Sequence, residues 1–159
     1  MKTRKLELTM RGWLSEFDKD KLPPRQGVYL VFGGKMCDKK NDNERREANI
    51  NHLIYIGQSD DIQHRLETHE KAERFDGELK TGEMIFYYYI KVNENAVDDC
   101  EGALIRYFKD MPIINEKCKK SFTSEYDKIH IILNGRIPRL LNGDKDFIIG
   151  TNSKKRGSF

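Results

Sequence analysis

The chain lacks any apolar run near the roughly 20 residues that a membrane-spanning helix requires. Its opening, MKTRKLELTM, carries charge without the apolar stretch and small-residue cleavage site of a secretory leader. A soluble protein working in the cytoplasm is expected. Its three cysteines, Cys37, Cys100 and Cys118, form no CxxC pair and are odd in number, which speaks against a disulfide framework and a zinc knuckle and for free thiols. A strong charge of one sign is also missing. The 29 Lys and Arg stand against 26 Asp and Glu, a formal +3, too little by itself to separate a nucleic-acid binder from an ordinary protein. There is no internal repeat, no low-complexity tract, and no recognisable helix-turn-helix or zinc finger in the short flanks.

Aromatic bulk is plentiful: eight Phe and seven Tyr in 159 residues suffice to close one core in one domain. Positive charge gathers at Lys117, Lys119 and Lys120 in one loop and at Lys154, Lys155 and Arg156 in the tail. Such clusters can meet a phosphate backbone, although solvated loop charge with no ligand is their commoner meaning. Leu6, Met10, Trp13, Leu14 and Phe17 fall mostly at helical spacing, which predicts an amphipathic helix over 6–20 ended by Pro23-Pro24. GVYLVF (27–32) reads as a strand buried on both faces. Residues 33–51 are polar and charged, a long loop or a hairpin extension containing a short helix. A second strand over 52–56 leads into a helix capped by Ser59 or Asp60 and running to about Arg74. MIFYYYIKV (84–92) is a third strand, and Asn95 starts a helix that Pro112 forbids from continuing. Two Asn-Gly pairs, 134–135 and 142–143, between apolar runs predict tight type I′ hairpins and a small meander. The order β-β-α-β-α plus a terminal hairpin points to an α+β domain with a mainly antiparallel sheet.

Three features sit awkwardly in that scaffold. Val97, Glu101, Leu104 and Phe108 share one helix face, so a carboxylate stands in an apolar stripe. Burying it uncompensated costs several kcal/mol. Glu101 is then either a stripe-edge residue reaching an arginine or solvent, or a ligand for a hard cation such as Mg²⁺. Arg65 and His69, one turn apart, are either a solvent-facing pair beside Glu67 and Glu70 or a fork and a proton carrier for one phosphate. Tyr29 and Tyr55 lie inside apolar strands as core residues or as phenols whose anion needs help, given an unperturbed pKa near 10.

Gly27-Val28-Tyr29, Tyr55-Ile56-Gly57, Arg65, His69, Glu101 and Asn115 together resemble the GIY-YIG nuclease family in order and in most spacings, over about residues 25–118. The resemblance implies a small, mainly antiparallel three-stranded sheet flanked by helices, to which the terminal strands add a β-hairpin or meander extension. The division is an N-terminal helical segment (1–24), a nuclease core (25–118) with an insertion (33–51), and a β extension with a basic tail (119–159), all in one domain. The implied activity is hydrolysis of DNA phosphodiesters with one Mg²⁺ or Mn²⁺ held by Glu101, in restriction or repair. Arg65 would clamp a phosphate oxygen. Tyr29 would activate or orient the attacking water and Tyr55 would hydrogen-bond in the phosphate site. His69 would share proton transfer or stabilise the Tyr29 phenolate, and Asn115 would brace the site. DNA contacts are expected from Lys35, Lys39, Lys40, Arg45 and Arg46 of the insertion, from Gln58, which stands where several relatives have a lysine, and from Lys117, Lys119 and Lys120. A homodimer would explain double-strand breaks. The alternative is a module on the same fold that binds nucleic acid or a partner without turnover.

Overall fold

Leu6, Leu8 and Met10 alternate with Lys5, Glu7, Thr9 and Arg11, and this period of two wins: Thr3–Ser15 is a strand, β1. The computed structural model describes residues 2–40 and 46–153. The helix expected over 6–20 is therefore corrected to a strand followed by a 3₁₀ turn at Glu16–Lys21, which Ser15 starts by accepting a hydrogen bond from the Phe17 N–H (3.2 Å). Pairing on both sides explains the outcome. β1 is antiparallel to β4 (Met84–Lys91) and parallel to β6 (Lys128–Gly135), and a strand hydrogen-bonded along both edges outcompetes a marginal isolated helix.

GVYLVF opens β2 (Gly27–Lys40), which lies between β3 (Arg46–Ser59) and β4, antiparallel to both. Val28 to Phe32 are all buried, as expected for a strand covered on two faces. The expected three-stranded sheet is overturned: β2, β3 and β4 are half of a curled six-stranded mixed sheet ordered β3-β2-β4-β1-β6-β7, with β7 at Asp146–Gly150. The C-terminal strands are part of this sheet instead of an appended meander. A further parallel pair joins β5 (Thr123–Ser124) to β8 (Asn152–Ser153). Neither Asn-Gly pair makes the expected two-residue hairpin. Asn134-Gly135 ends β6, Gly135 has φ +89°, and Asn142-Gly143 follows a 3₁₀ turn at Arg139–Leu141 before β7. The 33–51 segment is a hairpin arm, with β2 and β3 still paired at Met36↔Ala48 and Lys40↔Arg46. No helix occurs among its described residues.

The single helix expected from Asp60 to Arg74 is two, α1 (Ile62–Glu67) and α2 (Ala72–Gly77), and Asp61 is the N-cap. Side chains break it: Thr68 Oγ1 donates to the His64 carbonyl (2.8 Å), and His69 Nδ1 accepts the Lys71 N–H (3.0 Å), local bonds that compete with helical ones. The Glu helix is α3 (Glu94–Tyr107), with Val97, Glu101, Leu104 and Phe108 each at most 4% exposed.

The sheet separates two cores. Phe32, Phe86, Tyr88, Leu104 and Ile131 pack on the α3 side, while Tyr29, Tyr55, Ile62, Phe75 and Tyr87 pack under α1 and α2. At the base of the hairpin arm His52 lies across Gly33, where a Cβ would overlap the imidazole. Its Nε2 meets Glu83 Oε1 at 2.8 Å. Glu83, with a side chain 1% exposed, also accepts from the Lys80 N–H (2.7 Å) and Asn51 Nδ2 (2.9 Å). Burial opposes its ionisation, yet these hydrogen bonds hold the carboxyl down at about 2. Cys37, Cys100 and Cys118 form no disulfide. Among the described residues no helix is long and apolar enough to cross a membrane.

Candidate active site

β2–β3 pairing sets Tyr29 opposite Gly57. The phenol lies over that glycine so closely that any Cβ at position 57 would overlap the ring and hydroxyl. Tyr55, two residues earlier on β3, places its ring centroid 6.3 Å from that of Tyr29. The break between α1 and α2 drops His69 onto both rings, edge-on at 5.8 and 5.5 Å. His69 thus does not share a helix face with Arg65, as its spacing suggests; it reaches the tyrosines from the turn. Phe75 of α2 backs it at 4.8 Å.

His69 Nε2 lies 2.7 Å from the Tyr29 hydroxyl. A backbone N–H can only donate, so the Lys71 N–H fixes Nδ1 as the lone-pair nitrogen. The neutral ring therefore carries its proton on Nε2 and donates it to Tyr29. Burial, then the charges of Arg65 and Lys71, lower the His69 pKa to about 4, so neutral imidazole is the form present at pH 7. Burial and the neighbouring Tyr55 push Tyr29 well above the ordinary phenol range, and the Arg65 guanidinium of α1 pulls against them. Burial and then the Glu101 charge raise Tyr55, opposed by Lys117 and Arg65. Lys71 Nζ stands 5.1 Å above the Tyr55 ring. Arg65 itself is only loosely paired, 3.7 Å from Glu70, so its fork is free to take another anion.

Glu101 has a side chain 5% exposed, and its Oε1 accepts from Lys117 Nζ at 2.8 Å and Gln58 Nε2 at 3.2 Å. The same Gln58 nitrogen donates to Asp98 Oδ1 at 2.7 Å. Burial pulls the Lys117 ammonium down, but the Glu101 hydrogen bond and charge outweigh it and raise Lys117 above the ordinary lysine value. Gln58 and Lys117, expected to contact DNA, both hydrogen-bond the buried carboxylate. Asp98 was not singled out from the sequence, although its i, i+3 spacing to Glu101 could have shown it. Asn115, 3% exposed, faces Ile56 on the outer edge of β3: its Oδ1 accepts the Ile56 N–H (3.0 Å) and its Nδ2 donates to the Ile56 carbonyl (2.7 Å). With Ile114 N–H donating to the Ile54 carbonyl (2.8 Å), residues 114–115 cover that edge as a short strand would.

The remaining expected DNA contacts are scattered. Lys35 is exposed on the hairpin arm and Lys120 in the 109–122 loop. Lys119 turns inward, its Nζ donating to the Ile113 carbonyl (2.7 Å), a use the sequence did not suggest. The side chains of Lys39, Lys40 and Arg46, and all of Arg45, lie outside the described residues.

Among the described residues no cluster of three or more His, Cys, Asp or Glu side chains is placed to hold a metal ion. A hard cation that keeps most of its waters needs only one or two carboxylates, and the donor chemistry here suits it. Glu101 offers a buried carboxylate and Asp98 lies one turn away on α3, and a bound ion would share Oε1 with the Lys117 ammonium or displace it. A scan of family models, a search of curated proteins and a search of solved structures each returned no match to this chain.

Proposed function

We propose that the chain is a metal-dependent DNA endonuclease that hydrolyses phosphodiesters by chemistry of the GIY-YIG kind. One observation carries the reading: Tyr29, Tyr55 and His69, from β2, β3 and the turn after α1, meet ring to ring, with the Tyr29 hydroxyl 2.7 Å from His69 Nε2, and the Arg65 guanidinium of α1 and the Glu101 carboxylate of α3 both bear on the two tyrosines. Arg65, which faces the Tyr29 hydroxyl and is otherwise only loosely paired with Glu70, suits a non-bridging phosphate oxygen whose charge grows in the transition state. Glu101, with Asp98, would hold a Mg²⁺ or Mn²⁺ ion. Such an ion supplies countercharge to the scissile phosphate and leaving oxygen.

Tyr29 receives the His69 Nε2–H on its oxygen, so its own proton points away from His69. In its neutral form it orients the attacking water. As a phenolate, favoured by His69 and Arg65 as donors, it takes a proton from that water as the water oxygen bonds to phosphorus and the phosphorus–oxygen bond to the leaving group breaks, the released oxygen then taking a proton from solvent. The raised pKa makes the distinction measurable. With Tyr29 as base, kcat/KM rises about tenfold per pH unit from neutral into the alkaline range, and a flat profile assigns Tyr29 to orientation alone.

The test is plasmid cleavage with Mg²⁺ or Mn²⁺. Wild type nicks or cuts, and Glu101→Gln and Arg65→Ala lose at least 100-fold while keeping the wild-type melting curve. DNA left intact by wild type under all conditions refutes the proposal. A non-catalytic binding module is the second reading, and the Lys117–Glu101 ion pair favours it because it closes the carboxylate to other cations. Salt-sensitive DNA retention without product would establish it.

A further inference from the structure

Three arginines, Arg11, Arg136 and Arg139, have no carboxylate within ion-pair distance among the described residues. They meet at two adjoining cavities, of about 520 and about 290 Å³, that share Trp13 and Arg136 in their walls. Tyr88 forms part of the larger one, and the start of β3 with Asn49 forms its far wall. That wall exists because the hairpin arm curls over until β3 touches the 3₁₀ turn at Arg139–Leu141. Trp13 is only partly buried, and its indole is braced edge-on against Phe86 at 5.1 Å. Lys21 also lines the smaller cavity but is ion-paired with Asp18 at 3.4 Å, and one carboxylate, Glu47, stands in the wall of the larger.

We propose that this groove binds an unpaired stretch of nucleic acid, with a base stacked on Trp13 and adjacent phosphates held by Arg136 and Arg139. A rigid, part-exposed indole beside unpaired guanidiniums is the combination single strands require: a flat apolar surface for a base and forks for its phosphates. The cavity volume falls in the range of small-ligand sites, large enough for a nucleoside. The exposed Asn49 amide can address a base edge. An acidic peptide would use the guanidiniums but leave the indole without a stacking partner. None of Tyr29, Tyr55, Arg65, His69 and Glu101 lines either cavity, so the groove is separate from the proposed cleavage site and holds a segment other than the one cut.

Trp13 is the only tryptophan in the chain, so intrinsic fluorescence reports on this groove directly. The experiment titrates the full chain with an oligo-dT strand, and in parallel with the same length of duplex and with polyglutamate. Saturable quenching by oligo-dT is expected, with weaker or no quenching by the other two. The Arg136→Ala/Arg139→Ala double variant, both side chains being exposed, should lose at least tenfold in affinity, and the slope of log K against log salt should fall by about 1.4. Unchanged Trp13 emission, equal affinity of the double variant, or polyglutamate quenching as tightly as oligo-dT each overturns the proposal. Failure of the nuclease reading shows separately, as absent cleavage with quenching intact.

Discussion

Asn115→Ala should unfold the protein much more readily than a single polar-to-Ala change usually does. The Asn115 amide stands in for a peptide group, giving Ile56 on β3 both a donor and an acceptor in a buried setting. Truncation leaves the Ile56 N–H and carbonyl without partners, at about 1–3 kcal/mol each, so the expected loss is about 2–6 kcal/mol. With a urea m-value of about 2 kcal/mol/M, the midpoint drops by about 1–3 M at unchanged m. Asn115→Asp is the sharper variant. At neutral pH its carboxylate accepts the Ile56 N–H but faces the Ile56 carbonyl with no proton to give, so the deficit is at least as large. Below the pKa of the new carboxyl, the protonated acid has one donor and one acceptor again, and the deficit relative to wild type shrinks. A loss under about 1 kcal/mol for Asn115→Ala, or a pH-independent deficit for Asn115→Asp, would refute the edge-cap account.

Other outcomes follow from the ion pairs. Glu83 is held at about 2 in the fold against 4.5 for a free carboxyl, so its contribution is complete above pH 4.5 and disappears as pH falls toward 2. Linkage puts it at roughly 3 kcal/mol. In urea titrations at pH 6 and pH 3 Glu83→Gln should lose less stability on acidification than wild type, and identical pH slopes would exclude Glu83 as the source. Lys117→Met removes the ammonium from Glu101 Oε1 and should raise Mn²⁺ affinity about tenfold, read by the bound-ion signal in electron paramagnetic resonance. Unchanged affinity would show that Lys117 does not compete for that carboxylate.

Much of the site could be read along the chain because its residues sit on short, strongly patterned elements. The α3 stripe exposes Glu101 as a carboxylate among apolar residues, and GVYLVF and MIFYYYIKV announce buried strands by content alone. The N-terminus was misread because Leu6, Met10, Trp13 and Leu14 fit a helix while Leu6, Leu8 and Met10 fit a strand, and only pairing with β4 and β6 decides between them. Sheet order stayed hidden for the same reason: it depends on contacts between distant segments. His69 was placed on a helix that its own side chain helps to end. Lys117 looked like a loop cation, since nothing local shows that its ammonium reaches a carboxylate on another element.

The parallel β1–β6 pairing ties residues 3–10 to residues 128–135. During synthesis the first strand must wait, with one edge open, until most of the polypeptide has left the ribosome, so this half of the sheet assembles late. An excised 25–118 fragment would keep β2 but lack β1, leaving the other edge of β4 unpaired. Expression trials on such a fragment should therefore yield aggregated chains, not a minimal enzyme.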